Sequence, residues 1–426
     1  MKRILPLLLV FVLAGTLVAQ NNQIVVQAQG VKKMKVAMPP LVGPADLTSP
    51  TWAQIKKDIE ITGVFELIDP SVYPNQTPVG SLAQANLKDY TLIGADFLIT
   101  GSIERLGTYA TMRLEAAEVA TGKVISRYAY RQPANVLYGS VHDFMDRYLK
   151  DSLGLGAIFS SRIVAVQKTG GAKVLYTCWA DGSAGQTIIK GRPGDLVLSP
   201  AWSPDGQRIA FVSYARGNPD LYLYQLFPPK ITPLSTYRGL NSAPAFVPHE
   251  PKIAVTLSKD GNQDIYLMDL SGGHLNRLTT AWGIDTSPSF SPDGRYMVFC
   301  SDSGGTPQIY RMDVGSRAIQ RLTFQGSKNS EPVYSPRGDV IAFTHMAADG
   351  RFHIAAMQSD GSGFKVLHPD SGMDEESPSF SPDGRLLVYA GSDGNLYICD
   401  LYGSKPVRIT GGGGRFSQPC WGPLVR

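Results

Sequence analysis

The residue types that do chemistry in proteins are present in this chain, but they do not form the patterns chemistry requires. The six histidines are His142, His249, His274, His345, His353 and His368. None belongs to an H-E-x-x-H pair of the kind that holds zinc on one helix face, so surface or hydrogen-bonded polar roles are expected for them. No serine sits in a G-x-S-x-G elbow, the strained turn that presents a hydrolase nucleophile. Cys178, Cys300, Cys399 and Cys420 include no C-x-x-C, so neither a zinc ligand set nor a disulfide framework is indicated, although two bridges are possible. Asp302 and Asp393 stand in Gly-rich turns, where aspartate is favoured for turn geometry alone. No catalytic residue, metal site or cofactor is expected from these patterns.

The residues that do recur at fixed spacing belong to turns and strands. Gly (44) and Pro (30) are abundant in the 426 residues, which implies many tight turns and excludes an all-helical chain. Apolar residues make up 43% and charged residues 18%, so intrinsic disorder is not expected and the length suggests two or three domains. The net charge is +4 and no Lys/Arg run exceeds two residues, so no nucleic-acid partner is expected.

From Ser199 onward one phrase returns: SPAWSPDGQRIAFVS, APAFVPHEPKIAVTLS at Ala243, SPSFSPDGRYMVFCS at Ser287, EPVYSPRGDVIAFTH at Glu331, SPSFSPDGRLLVYAG at Ser377 and QPCWGP at Gln418. The second prolines, Pro204, Pro248, Pro292, Pro336, Pro382 and Pro423, are spaced by 44, 44, 44, 46 and 41 residues. Each unit reads as an aromatic inner strand, a Pro-Asp-Gly turn, an alternating second strand, a third such as Asp264 to Met268, and a fourth ending near Arg277-Leu278-Thr279. Four strands in about 44 residues is a propeller blade of the WD40-like, PD40 type. Ser161 to Val166, Lys173 to Trp179 and Gln186 to Lys190 lack an inner strand, and the last copy of the phrase lacks a blade. Joining the two completes a ring, so residues 161–426 are expected to form a six-bladed propeller closed by the C-terminal strand. Two turns depart from the pattern, at Val247-Pro248-His249-Glu250 and at Arg337, and are expected to be looser.

Upstream, residues 20–150 mix helical and strand periods. A helix is expected from Ser49-Pro50 through Trp52, Ile55 and Ile59 to Gly63, then a strand from Val64 to Ile68 and a weaker helix from Ser81 to Asp89. Strands are expected over residues 96–104, 109–118 and 123–130, and a last helix carries Val141, Phe144 and Tyr148. This describes an α/β domain, followed by a linker over 151–160. The first 19 residues read as a cleaved signal peptide: Met1-Lys2-Arg3, an uncharged run from Ile4 to Val18, and Ala19 at the cut. A membrane anchor is the alternative, but Pro6, Gly15 and Thr16 interrupt a run already short for spanning. The mature chain is expected to be soluble and exported.

With that layout, GAIFSSRIVAV at the domain junction and the phrases GVFELIDP (63–70), GADFLITGSI (94–103), SKDGNQDIYLMDL (258–270) and DSGGTPQIYRMDV (302–314) make the sequence resemble the TolB family of the Tol-Pal system over essentially its whole length. The resemblance implies a non-catalytic, monomeric periplasmic adaptor, peripheral to membranes through its partners only, that supports outer-membrane integrity and envelope constriction at division. It implies two partners, the peptidoglycan-associated lipoprotein Pal on the propeller and TolA on the mature N-terminus. The corresponding segment here is Gln23, Ile24, Val25, Val26, Gln27 and Ala28, whose β-prone run suits strand addition, although from the residues alone it could equally be a first strand of the α/β domain. The Pal rim would be formed by residues where the inner strands begin: Asn241, Ala243, Asp285, Thr286, Asn329, Glu331, Glu375, Glu376 and Ser417. Rival readings are an exported propeller holding a small ligand or ion in its channel, and a peptidase-related propeller without a catalytic domain.

Overall fold

The computed structural model describes residues 32–73, 75–411 and 414–424. The signal peptide and the segment Gln23 to Ala28 lie outside the described residues. The amino-terminal region is a five-stranded sheet of β1 (Met34–Ala37), β2 (Phe65–Leu67), β3 (Phe97–Leu106), β4 (Tyr109–Glu118) and β5 (Val124–Pro133) in the order β2-β1-β3-β4-β5. β1 runs parallel to both neighbours, whereas β3, β4 and β5 form an antiparallel meander. Helices α1 (Ala45–Ile61) and α3 (Tyr138–Leu153) pack together over the sheet, and a short α2 (Leu87–Leu92) lies before β3. Ile55 and Ile59 from α1 and Val141, Phe144 and Tyr148 from α3 are fully buried against Phe65, Ile99 and Leu114, as their helical spacing requires.

Three details differ from the sequence reading. Helix α1 begins four residues earlier and passes through Pro50, because the Pro44 carbonyl collects the Leu47 and Thr48 amides and starts the first turn there. The weaker helix is instead a 3₁₀ turn (Leu82–Gln84) followed by α2, with extended Ala85 and Asn86 between them. Strand β1 was not anticipated, since a four-residue parallel strand preceded by Lys32 and Lys33 and containing Lys35 carries no alternation to recognise.

The junction is a clamped passage. Gly154 ends α3 in the left-handed conformation (φ 66°), and its amide bonds to the Lys150 carbonyl at 2.8 Å. The Asp146 carboxylate then accepts the amides of Ile158, Phe159 and Ser160 at 2.7–2.8 Å, and Ile158 and Phe159 are fully buried.

Beyond it stand six four-stranded antiparallel sheets. In the closing blade the final strand, Arg415–Leu424, pairs with β6 (Ser161–Thr169), followed outward by β7 (Ala172–Trp179) and β8 (Gln186–Ile189). The turns after the inner strands are tied by their own side chains: Ser203 Oγ accepts the Arg208 amide at 2.9 Å while Gly206 takes φ 67°. Where His249 and Glu250 replace Asp and Gly, the left-handed position moves to His249 (φ 63°) and the Val247 amide still closes the turn on the Lys252 carbonyl. The turn at Arg337 keeps Gly338 at φ 75°, and Arg337 Nε donates to the Asp383 carbonyl of the next turn at 2.7 Å. Neither turn is left open.

The amino-terminal domain sits on the face that carries these turns. Arg385 Nη1 donates to the Thr62 carbonyl, Gly63 lies against Asp400 and Leu386, and Gly156 against Asp383. One apolar cluster runs through both parts, joining Phe144, Tyr148 and Phe159 to Ile163, Leu386, Val388 and Trp421. Because Phe144 is fully buried in that shared cluster, Phe144→Ala is expected to cost about 3–5 kcal/mol. Urea unfolding followed by tryptophan fluorescence should show both domains losing stability together, and a change below about 1 kcal/mol would refute the shared core.

Candidate functional site

The opposite face of the propeller is free of the described residues of the amino-terminal domain, and the inner strands start there. Each inner strand breaks its ladder register at an X-Pro pair, which is left unpaired: Ser199-Pro200, Ala243-Pro244, Ser287-Pro288, Glu331-Pro332, Ser377-Pro378 and Gln418-Pro419, the closing strand breaking a second time between Trp421 and Leu424. The residue before proline is left-handed in all six, with φ between 48° and 58°. That conformation costs a non-glycine residue roughly 1–2 kcal/mol, so the ladder on either side must impose it. Proline lacks an N–H and leaves no orphan donor at the bulge. These twelve residues line the central channel, a cavity of about 160 Å³. The proline second in each phrase, after Ser in three copies and after Ala, Glu or Gln in the others, was the visible signal for this ring.

Glu331 is the one charged group in that lining. Its carboxylate accepts Thr344 Oγ1 at 2.9 Å, the Ser377 amide at 3.0 Å and Ser377 Oγ at 3.1 Å, so it ties its own blade to the next. Gln418 Oε1 does the same for the closing blade by accepting the Ser199 amide at 2.9 Å.

The expected rim divides in two. Asn241, Asp285, Asn329 and Glu375 are buried and turned inward. Asn241 binds Ser235 and the Tyr237 and Gly239 carbonyls, and Asn329 binds Gln308, His345 and the Gln325 carbonyl. Glu375 accepts Tyr389 OH at 3.2 Å and the Ile354 amide at 3.3 Å. Burial raises the Asp285 carboxyl, outweighing the nearby Ser301 and Thr279 hydroxyls that would lower it. Asn241, Asn329 and Glu375 hold the inter-blade loops from within, whereas Asp285 Oδ1 is buried without a partner. Ala243, Thr286, Glu331 and Ser417 are partly exposed, and Glu376 is exposed. Partial burial, then the charges of Glu331 and Asp374, raise the Glu376 carboxyl.

Sequence reasoning missed the apolar residues of the same face. Trp282 is 93% exposed and Phe324 69%, with Ile284 and Tyr237 also exposed. All four lie in the loops that lead into inner strands, and Arg321 stacks on Phe324 as Lys259 does on Tyr237. Their loops, TTAWGID, LTFQGSKN and LSTYRGLN, differ in sequence, so no repeat pattern picked them out. Four of the histidines are buried: His142, His345 and His368 lie beside Asp58, Asn329 and Glu375, as a hydrogen-bonded role requires, whereas His353 Nδ1 has no partner. The four cysteines are free thiols. Among the described residues no group of three or more His, Cys, Asp or Glu is arranged to hold a metal ion.

Comparison with known proteins decides the family. Residues 153–425 match the TolB beta propeller domain and residues 22–125 the TolB amino-terminal domain. The chain belongs to the TolB family. It is 46% identical over 401 residues to the Tol-Pal system protein TolB of Nitrosomonas europaea, covering 93% of this chain and 92% of that protein. Identity to the protein of the same name from Methylobacillus flagellatus is 47%, over 87% and 85% of the two chains. Other relatives align over less: the match to TolB of Desulfosudis oleivorans is 36% identical over 57% of this chain and 56% of that protein. The crystal structure of TolB from Acinetobacter baumannii superposes with a TM-score of 0.82 at 30% identity, over 92% of this chain and 97% of that one.

The division of the rim makes a stability prediction. Asn329→Ala strands several buried partners and is expected to cost about 1–3 kcal/mol, whereas Glu376→Gln should change stability by less than about 0.5 kcal/mol. Thermal unfolding of the two variants would contradict this assignment if their order were reversed.

Proposed function

We propose that this TolB-family chain is a non-catalytic periplasmic adaptor of the Tol-Pal system, binding Pal on the free propeller face and TolA through its mature N-terminus. Its task on this reading is to support outer-membrane integrity and envelope constriction at division. The observation that carries it is the cluster of exposed apolar side chains, led by Trp282, on the face left open by the amino-terminal domain. Aromatic anchors surrounded by polar groups are what a protein partner buries, and Ala243, Thr286, Glu331, Glu376 and Ser417 supply the polar surround. The TolA segment, Gln23 to Ala28, rests on its sequence: Ile24-Val25-Val26 after a Gln/Asn leader suits addition to a sheet edge. No helix among the described residues is long and apolar enough to cross a membrane.

Calorimetric titration with the soluble domain of Pal from the same genome tests the first site. Saturable one-to-one binding is expected, weakened about thirtyfold or more by Trp282→Ala and clearly by Glu376→Lys. Unchanged affinity in both variants would remove Pal from this face, and no binding of the parent chain by two methods would remove the adaptor reading. Glu331→Lys is the poorer probe, since it also breaks the bond between blades. Deleting residues 20–30 should abolish TolA binding, and a concurrent shift in Pal affinity would reveal coupling between the sites. Retained TolA binding would refute the proposed segment.

A further inference from the structure

Three ionisable side chains that no partner contact uses meet where the two domains touch. Asp58 on α1 and His142 on α3 belong to the amino-terminal domain, and Asp181, in the turn after β7, belongs to the propeller. All three are buried to within 1% of complete. His142 Nδ1 lies 3.0 Å from Asp58 Oδ2, and His142 Nε2 faces Asp181 Oδ1 at 3.6 Å without another partner. Gln54 bridges the same carboxylates from the other side, donating at 2.8 Å to Asp58 Oδ1 and at 2.8 Å to Asp181 Oδ2. The imidazole stacks on Phe159, with ring centres 6.0 Å apart, and tilts against Trp179 at 5.7 Å. Water has little access to dilute a change of charge there.

Among the described residues, four further ionisable groups face this cluster. Asp146, on α3 itself, is committed to the amides of residues 158 to 160. Lys57 of α1 places Nζ 4.0 Å from Asp181 Oδ2 but is 35% exposed, and Arg162 of β6 stacks on Trp179 at 4.2 Å. Cys178 of β7 is pushed up to about 12 by burial and stays a neutral thiol. Three carboxylates against Lys57 and Arg162 leave one negative charge in the interface, which a proton on His142 cancels. Only the imidazolium can also donate from both nitrogens, one to each domain's carboxylate. We propose that a proton held on His142 locks the amino-terminal domain onto the propeller, and that losing it at alkaline pH loosens the two domains.

The linkage has a definite sign. Burial opposes charge on His142, but Asp58, Asp181 and Asp146 outweigh it and raise its pKa. Of these three only Asp181 belongs to the propeller, so the docking contribution is its pairing with the imidazolium, present while His142 is protonated and lost as pH rises through the raised value. Asp58 acts in the same direction: burial raises it to about 6 against the offsetting charge of His142, so the docked state also favours its protonated form. Burial would raise Asp181 as well, yet His142 and the Ser183 and Gln54 bonds outweigh it and lower its pKa, so its contribution is lost only in acid. From about pH 6 to 9 the docking constant should fall about tenfold for each unit by which docking raises the His142 pKa. This inference does not depend on the partner assignments above.

The test places spin labels at Thr121→Cys and Ser316→Cys, both exposed turn positions on different domains, in the otherwise intact exported chain. Distance distributions by pulsed electron resonance should be narrow at pH 6 and broaden at pH 9. His142→Gln, which keeps hydrogen bonding but cannot titrate, should give the same distribution at both. Should that variant fail to fold, Asp181→Asn removes the propeller's carboxylate and should shrink the change with pH. In histidine-detected NMR the His142 signal should titrate above 6.5 in the parent and at lower pH in Asp181→Asn. A parent distribution that is the same at pH 6 and 9, a His142 midpoint at or below 6.5, or an unaltered pH response in a folded variant would overturn the proposal.

Discussion

Pairing of the last strand, Arg415–Leu424, with Ser161–Thr169 is the constraint on which the rest depends. It unites the two ends of the propeller in one blade and leaves no unpaired inner edge between the first and last repeats. The same strand carries Trp421, whose ring lies in the apolar cluster shared by both domains and whose Nε1 donates to Ser161 Oγ at 2.8 Å. Ring closure and domain docking are therefore two consequences of one piece of backbone. The strand also brings Gln418 to Ser199, so the channel lining is continuous across the seam.

Closure then gives the two faces different work. The Pro-Asp-Gly face is engaged at Asp383, Arg385, Leu386 and Asp400 by Thr62, Gly63 and the linker's Gly156, while the other face keeps its loops and its exposed Trp282 and Phe324. The left-handed residues around the channel are held by ladders on both sides, so the mouth is a rigid frame. A rigid frame lets exposed anchors bind without first paying to order themselves. Polar residues that lead the inner strands divide between two duties: Asn241, Asn329 and Glu375 hold the loops, and Glu376 meets solvent.

Much of the fold could be read from the chain because the repeat period, the Pro-Asp-Gly turns and the apolar alternation all describe local structure. Helix α3 was legible from Val141, Phe144 and Tyr148, and the orphan inner strand at Gln418 revealed the closure. The rim was less legible. Position along an inner strand does not say whether a side chain turns toward solvent or toward the preceding loop, which is how Asn329 and Glu375 came to be expected on the surface. Trp282 escaped notice because its loop, TTAWGID, is not shared by the other blades, so no repeated position marked it.

The sequence by itself determined the blade count, the order of domains, the family and the want of a recognisable catalytic motif, because each is written in short-range patterns or in a period. Tertiary structure alone decided which face is free, which rim residues are exposed, and that Asp58, His142 and Asp181 meet at all. Gln54 and Asp181 lie 127 residues apart, yet they share a hydrogen bond of 2.8 Å. Proximity of that kind follows from how two closed surfaces fit together, and no local pattern encodes it.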